Sequence, residues 1–194
     1  MKTPFILISI FLYLGCVFAQ NTSFTTNQNA DLMISGVDFN NIGGPLSFNH
    51  PTGLASNRTN LLMCDRFNNR VLILHTAPST WNTPPDLVLG QENFITNDPN
   101  TSKSGMNWPG NVSVASNGKL AITYTNNDRL LLWNSIPTSN VQAAVISIHL
   151  PSITPTGIPM RWQWPWGIWT DETKLKFTLD RGCLASINIV EMLG

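Results

Sequence analysis

Four tryptophans fall within eight residues in the run Arg161-Trp162-Gln163-Trp164-Pro165-Trp166-Gly167-Ile168-Trp169. Alternate residues of a strand share one face, so an extended segment here would set Trp162, Trp164 and Trp166 side by side. Such a row is a stacking surface for sugar rings or apolar ligands, with Trp169 and Arg161 at its margins. The same bulky residues could instead fill the layer between packed sheets, as repeat folds require. Histidine offers a second chemistry. A zinc centre takes three or four ligands that converge, and the chain has His50, His75 and His149. Only His50 stands at a position the sequence repeats, and its counterparts are Trp108 and Trp164. No metal site is expected, and no cofactor. There is no Gly-x-Ser-x-Gly, no His-Glu-x-x-His and no glycine-rich phosphate loop. Asp31, Asp38, Asp86 and Glu92 fall within a repeated segment and track that repeat, whereas Asp65 and Asp98 read as lone carboxylates in turn-like stretches. No residue is assigned as catalytic.

The elements that must position these residues recur along the chain. One copy runs His50-Pro51-Thr52-Gly53-Leu54-Ala55-Ser56, Leu61-Leu62-Met63-Cys64-Asp65 and Asn68-Asn69-Arg70-Val71-Leu72-Ile73-Leu74. The next runs Trp108-Pro109-Gly110-Asn111-Val112-Ser113-Val114, Lys119-Leu120-Ala121-Ile122-Thr123-Tyr124 and Asn127-Asp128-Arg129-Leu130-Leu131-Leu132-Trp133. A third opens at Trp164-Pro165-Trp166-Gly167 and then decays after Lys174. The openings His50, Trp108 and Trp164 are 58 and 56 residues apart. A second segment keeps the same period: Ala30-Asp31-Leu32-Met33-Ile34 is matched by Pro85-Asp86-Leu87-Val88-Leu89 and echoed by Ala144-Val145-Ile146. Short apolar runs broken by Asn, Gly, Ser, Thr and Pro predict antiparallel strands joined by turns. Strands are expected near Gly53–Ser56, Leu61–Cys64, Val71–Leu74, Leu87–Leu89, Val112–Ala115, Leu120–Thr123, Leu130–Trp133 and Ala144–Ile148, with a further one around Ala30–Ser35. No period of 3.6 stands out after residue 20, so few helices are expected.

Pro-x-Gly-apolar, a turn, an apolar run, Asp, then Asn-Arg-Val is similar to the NHL repeat, with Pro51, Gly53, Asp65, Asn69, Arg70 and Val71 as its best copy. In the second copy Pro109 and Arg129 match, while Tyr124 replaces the Asp and Asp128 the Asn. The third keeps Pro165 and Gly167. The resemblance covers about Ala30 to Thr178. It implies an all-β fold, a partial (open) β-propeller of about three four-stranded blades over residues 30–194. Family rings usually have about six blades, which makes this chain read as a fragment of a longer propeller with open, association-prone sheet edges. The recurrence of Arg70 and Arg129 assigns them to hydrogen bonding within each blade rather than to one catalytic spot.

Lys2, the apolar run Pro4 to Phe18 and Val17-Phe18-Ala19 predict a signal peptide over residues 1–19, followed by a polar linker over 20–29. Leu14-Gly15-Cys16 resembles a lipoprotein cleavage site, but Tyr13 departs from that pattern, which favours secretion over anchoring at Cys16. Charged residues make up 11% of the chain and the net charge is zero. Nucleic acid and, once the leader is removed, membrane are therefore not expected partners. Four Asn-x-Ser/Thr sequons occur, at Asn21, Asn57, Asn100 and Asn111, and the turn-like contexts of Asn57 and Asn100 make them the glycosylation candidates. With the NHL resemblance, these features point to a secreted module that binds or scaffolds a protein or carbohydrate ligand and can self-associate through open edges. The alternative is a truncated secreted propeller enzyme, lyase- or hydrolase-like, whose site residues lie partly outside this chain.

Overall fold

The computed structural model describes residues 26–32, 34, 47–124, 126, 128–149, 167–170, 174–178 and 184–188. The chain divides into two compact units, Met1–Asp31 and Leu32–Gly194. In the first, Thr26 and Asn27 form a turn, with Asn27 in the left-handed region at φ 63.

The second unit is all-β. Its first sheet is an antiparallel meander of β1 (Pro51–Ser56), β2 (Leu61–Asp65), β3 (Arg70–Leu74) and β4 (Leu87–Leu89), in that spatial order. The second repeats it with β5 (Pro109–Val114), β6 (Leu120–Tyr124), β7 (Arg129–Trp133) and β8 (Ile146–His149). A third sheet pairs β9 (Gly167–Thr170), β10 (Lys174–Thr178) and β11 (Leu184–Asn188) in the order β11-β10-β9. A 3-10 turn, Arg66–Asn68, links β2 and β3. No helix among the described residues is long and apolar enough to cross a membrane.

The repeat is visible in the backbone itself. Left-handed residues recur as His50 and Trp108 (φ 54 and 57), Asn69 and Asp128 (53 and 49), and Asn82 and Val141 (56 and 50). Both first strands carry an irregularity at the same place, between Pro51 and Leu54 and between Pro109 and Asn111. One expectation from sequence needs correction. Ala30, Asp31, Leu32 and Ile34 are not in a strand, because an extended segment becomes a strand only when a partner supplies the ladder. The motif decays after Lys174, yet β10 and β11 form there. Their pairing needs alternation and a turn, not the Asn-Arg-Val signature.

Side-chain alternation builds the core. Leu62 and Cys64, Val71 and Ile73, and Leu87 and Leu89 face the same layer as Leu120, Ile122 and Tyr124 and as Leu131 and Trp133. The intervening Leu72, Val88, Ala121, Leu130 and Leu132 are buried as well. Strands covered on both faces explain why Val71–Leu74 and Leu130–Trp133 are continuous apolar runs. Each such side chain contributes about 1.5–3 kcal/mol by leaving water. β1 lies against β5 and β5 against β9. The β1–β5 approach is close: a Cβ on Gly53 would fall 2.7 Å from the Asn111 Cα. Glycine is required there by space.

Candidate functional site

The turn between β2 and β3 gathers the buried polar groups of the first sheet. Asp65 ends β2 and Arg70 begins β3, directly opposite in register. Both are fully buried, and the Arg70 Nε donates to Asp65 Oδ2 at 2.7 Å. The rest of the guanidinium donates to the carbonyls of Phe94 (2.7 Å) and Ser47 (3.1 Å). Asp65 also accepts from the Asn49 amide (2.6 Å) and from Asn68 Nδ2 (2.9 Å). Asp65 is therefore not the lone turn carboxylate expected from sequence. A planar five-donor fork suits several acceptors at once, which a lysine could not satisfy.

Asn69 carries this network outward. In its left-handed conformation it ends the 3-10 turn, and its amide donates to the Arg66 carbonyl. Its side chain accepts from the Trp108 amide (2.9 Å) and donates to the Asn97 carbonyl (2.7 Å). Its carbonyl accepts from Gln91 Nε2, which also donates to the Asp98 carbonyl at 2.8 Å. Gly90 passes close to that same Asn69 carbonyl at φ +92, where a side chain would meet both strain and the oxygen.

The two motif openings meet above this network. The Phe67 ring lies between His50, with centroids 4.3 Å apart, and Trp108, 5.1 Å apart, tilted by 44° and 52°. The Arg66 guanidinium stands 5.5 Å from the Trp108 centroid and 5.8 Å from that of Phe67. Burial pulls Arg66 below its ordinary value, and a guanidinium so placed remains a cation. His50 is exposed, and Phe67 and Trp108 are half-buried. His50 and Trp108, each before a proline, also hold left-handed backbone that bulky residues rarely adopt and that costs about 1–3 kcal/mol. The strained residues of the repeat are thus the ones that present the aromatic ledge.

The second sheet departs from this pattern. Tyr124 stands where Asp65 does, and the Arg129 guanidinium donates to its hydroxyl (3.4 Å) and to the Thr101 carbonyl. Burial raises the Tyr124 phenol, with Arg129 pulling it the other way. Asn126 replaces Phe67 and bonds to Asn107. A polar cleft of about 410 Å³ opens beside the β4–β5 connection, lined by Gln91, Glu92, Asp98, Asn100, Ser104 and Val141 among others.

Arg161, Trp162, Trp164, Pro165 and Trp166 lie outside the described residues. Trp169 is in β9 opposite Lys176, and Gly167 opens that strand opposite Thr178. Pro51, Gly53, Asp65, Arg70, Pro109 and Arg129 lie in strands of the first two sheets, with Asn69 in the turn between β2 and β3. Asn57 sits at the β1–β2 tip, its side chain accepting from the Thr59 and Asn60 amides. Asn100 is exposed at the cleft and accepts from Ser102. Among the described residues no three His, Cys, Asp or Glu side chains gather as a metal set. Phe67 and Arg66 were missed from sequence because Asn126 and Thr125 hold their places in the second copy, so the repeat hides them.

No protein-family model matches the chain, and no curated protein matches it in sequence.

Proposed function

We propose that this chain is a secreted, NHL-like repeat module that binds a carbohydrate, its sheets forming an open propeller-like array and its ligand docking on the His50–Phe67–Trp108 ledge. One observation carries the reading: rings 4.3 and 5.1 Å apart are left partly open to solvent on strained backbone beside a guanidinium. Sugar faces stack on such rings, whose C–H groups meet the π-surface while hydroxyls turn to polar neighbours. Strain held at an exposed position is characteristic of ligand clamps. The leader Met1–Ala19 delivers the module to the outside. Calorimetric titration with a panel of neutral oligosaccharides tests the proposal. Saturable binding to at least one class supports it, whereas a flat response to every sugar, or binding only to protein ligands, overturns the carbohydrate assignment.

A further inference from the structure

The polar cleft beside the β4–β5 connection combines backbone that is tied down with side chains that are not. Its lining includes the backbone bridge between Gly90 and Gly105. Asn140 Nδ2 donates to the Glu92 carbonyl (3.3 Å), and Gln91 Nε2 donates to the Asp98 carbonyl (2.8 Å). Glu92 and Asp98 are thereby held through their main chains, while both residues are exposed at the cleft. The ion pair among the described residues is Arg70–Asp65, and neither the Glu92 nor the Asp98 carboxylate takes an ion pair or a hydrogen bond.

Gln91 is an independent pointer to the same cavity. It is 4% exposed and lines the cleft, and its Nε2 is used on the Asn69 and Asp98 carbonyls. Its Oε1 accepts from nothing among the described residues, yet it is not one of the unpartnered polar atoms sealed from solvent. That oxygen opens into the cleft and lacks a donor, which a buried amide normally has. The hydroxyls of the wall are already engaged: Thr96 donates to the Asn93 carbonyl (3.4 Å), and Ser104 pairs with Ser102 (3.1 Å). No Lys, Arg or His among the described residues lines the cleft. The nearby cations are committed elsewhere, Lys103 to the Val145 carbonyl (2.9 Å) and Arg129 to that of Thr101. The cleft therefore holds a surplus of acceptors and of negative charge.

We propose that this cleft binds a small aliphatic amine, whose ammonium donors meet the Glu92 and Asp98 carboxylates and Gln91 Oε1. An ammonium brings three donors and no acceptor, the complement of this wall, and its bonds to carboxylates are charge-assisted. The volume of about 410 Å³ lies within the range of small-molecule sites, about 300–1,000 Å³. A bare ion would leave most of that space unfilled, and calcium takes about 6–8 oxygen ligands. Val141, 40% exposed, offers the methylene stem an apolar wall. None of the ledge residues takes part.

Calorimetric titration of butanediamine into the intact chain at low salt tests this, with butanediol as the uncharged match in size and calcium chloride as the ion alone. The diamine should bind saturably with a Kd of about 1 mM or tighter, and more weakly as added salt screens the exposed carboxylates. Glu92→Gln and Asp98→Asn should each weaken binding by at least about threefold, the scale of a solvent-screened charge contact, and together by about tenfold. Asp86→Asn removes the same charge at the other end of β4 from Gly90 and should bind as the parent does. Urea midpoints establish that each variant is folded. No saturable binding of the diamine, equal binding of the diol, saturable binding of calcium in place of the diamine, or a folded Glu92→Gln/Asp98→Asn chain with the parent's affinity would each overturn the proposal. No sugar is involved, so the outcome is independent of the ledge.

Discussion

Replacing Arg70 should be among the most damaging single changes in the first sheet. Its guanidinium is fully buried and donates to Asp65, Phe94 and Ser47. Arg70→Ala leaves the Asp65 carboxylate buried without its cation and strips the Phe94 carbonyl of its guanidinium donor, while the Ser47 carbonyl keeps only Asn68 Nδ2. Breaking a buried pair from one side costs about 3–5 kcal/mol, equivalent to roughly 6–20 °C in melting temperature for a chain of this size. The equivalent Arg129 is half-exposed and bonds to a phenol and a carbonyl, so Arg129→Ala should cost only about 1 kcal/mol. Removing both charges in Asp65→Leu/Arg70→Met should recover much of the loss, since an apolar pair carries no desolvation cost. Urea unfolding followed by tryptophan fluorescence measures all three. Equal losses at Arg70 and Arg129, or a double variant as unstable as Arg70→Ala, would refute the reasoning.

Gly53→Ala should destabilise the chain by about 1–3 kcal/mol, because the new methyl would press on the Asn111 backbone and separate β1 from β5; thermal melts check this. Stability should also fall on the alkaline side. Burial raises the Cys64 thiol above its ordinary 9.0, more than the Gly53 backbone hydrogen bond offsets, and raises the Tyr124 phenol above 10.0. A group whose pKa is higher folded than unfolded holds its proton longer in the folded state. The contribution is therefore complete below pH 9 and lost as the unfolded chain releases first the thiol and then the phenol. Urea midpoints across pH 8–11 should show this decline and Cys64→Ala should delay its onset; a flat profile contradicts it.

Much of the architecture was legible in the sequence because it rests on period. The motif openings, Arg70 and Arg129, and the alternating apolar runs marked the strands of the first two sheets to within a few residues. Local pattern misled where a structure needs a partner or a third residue. Asp31-Leu32-Met33-Ile34 has the composition of β4 but no ladder in its described residues. Asp65 looked solitary because Arg70 is five residues away and only the β2–β3 register brings them together. The ledge was harder to see, since Phe67 and Arg66 occur in one copy alone and a search by repetition discards them. The aromatic run Trp162 to Trp166 lies outside the described residues.

The central claim is that the ledge binds a sugar, and calorimetric titration of the Trp108→Ala variant with whichever oligosaccharide the parent chain binds tests it most directly. Losing one stacked indole should weaken binding by about tenfold or more. Two controls accompany it: Thr80→Ala, in the β3–β4 connection at the far end of β3 from Phe67, should bind as the parent does, and each variant's urea midpoint must show that it is folded at the titration temperature. A folded Trp108→Ala chain with the parent's affinity would place the ligand elsewhere and contradict the account.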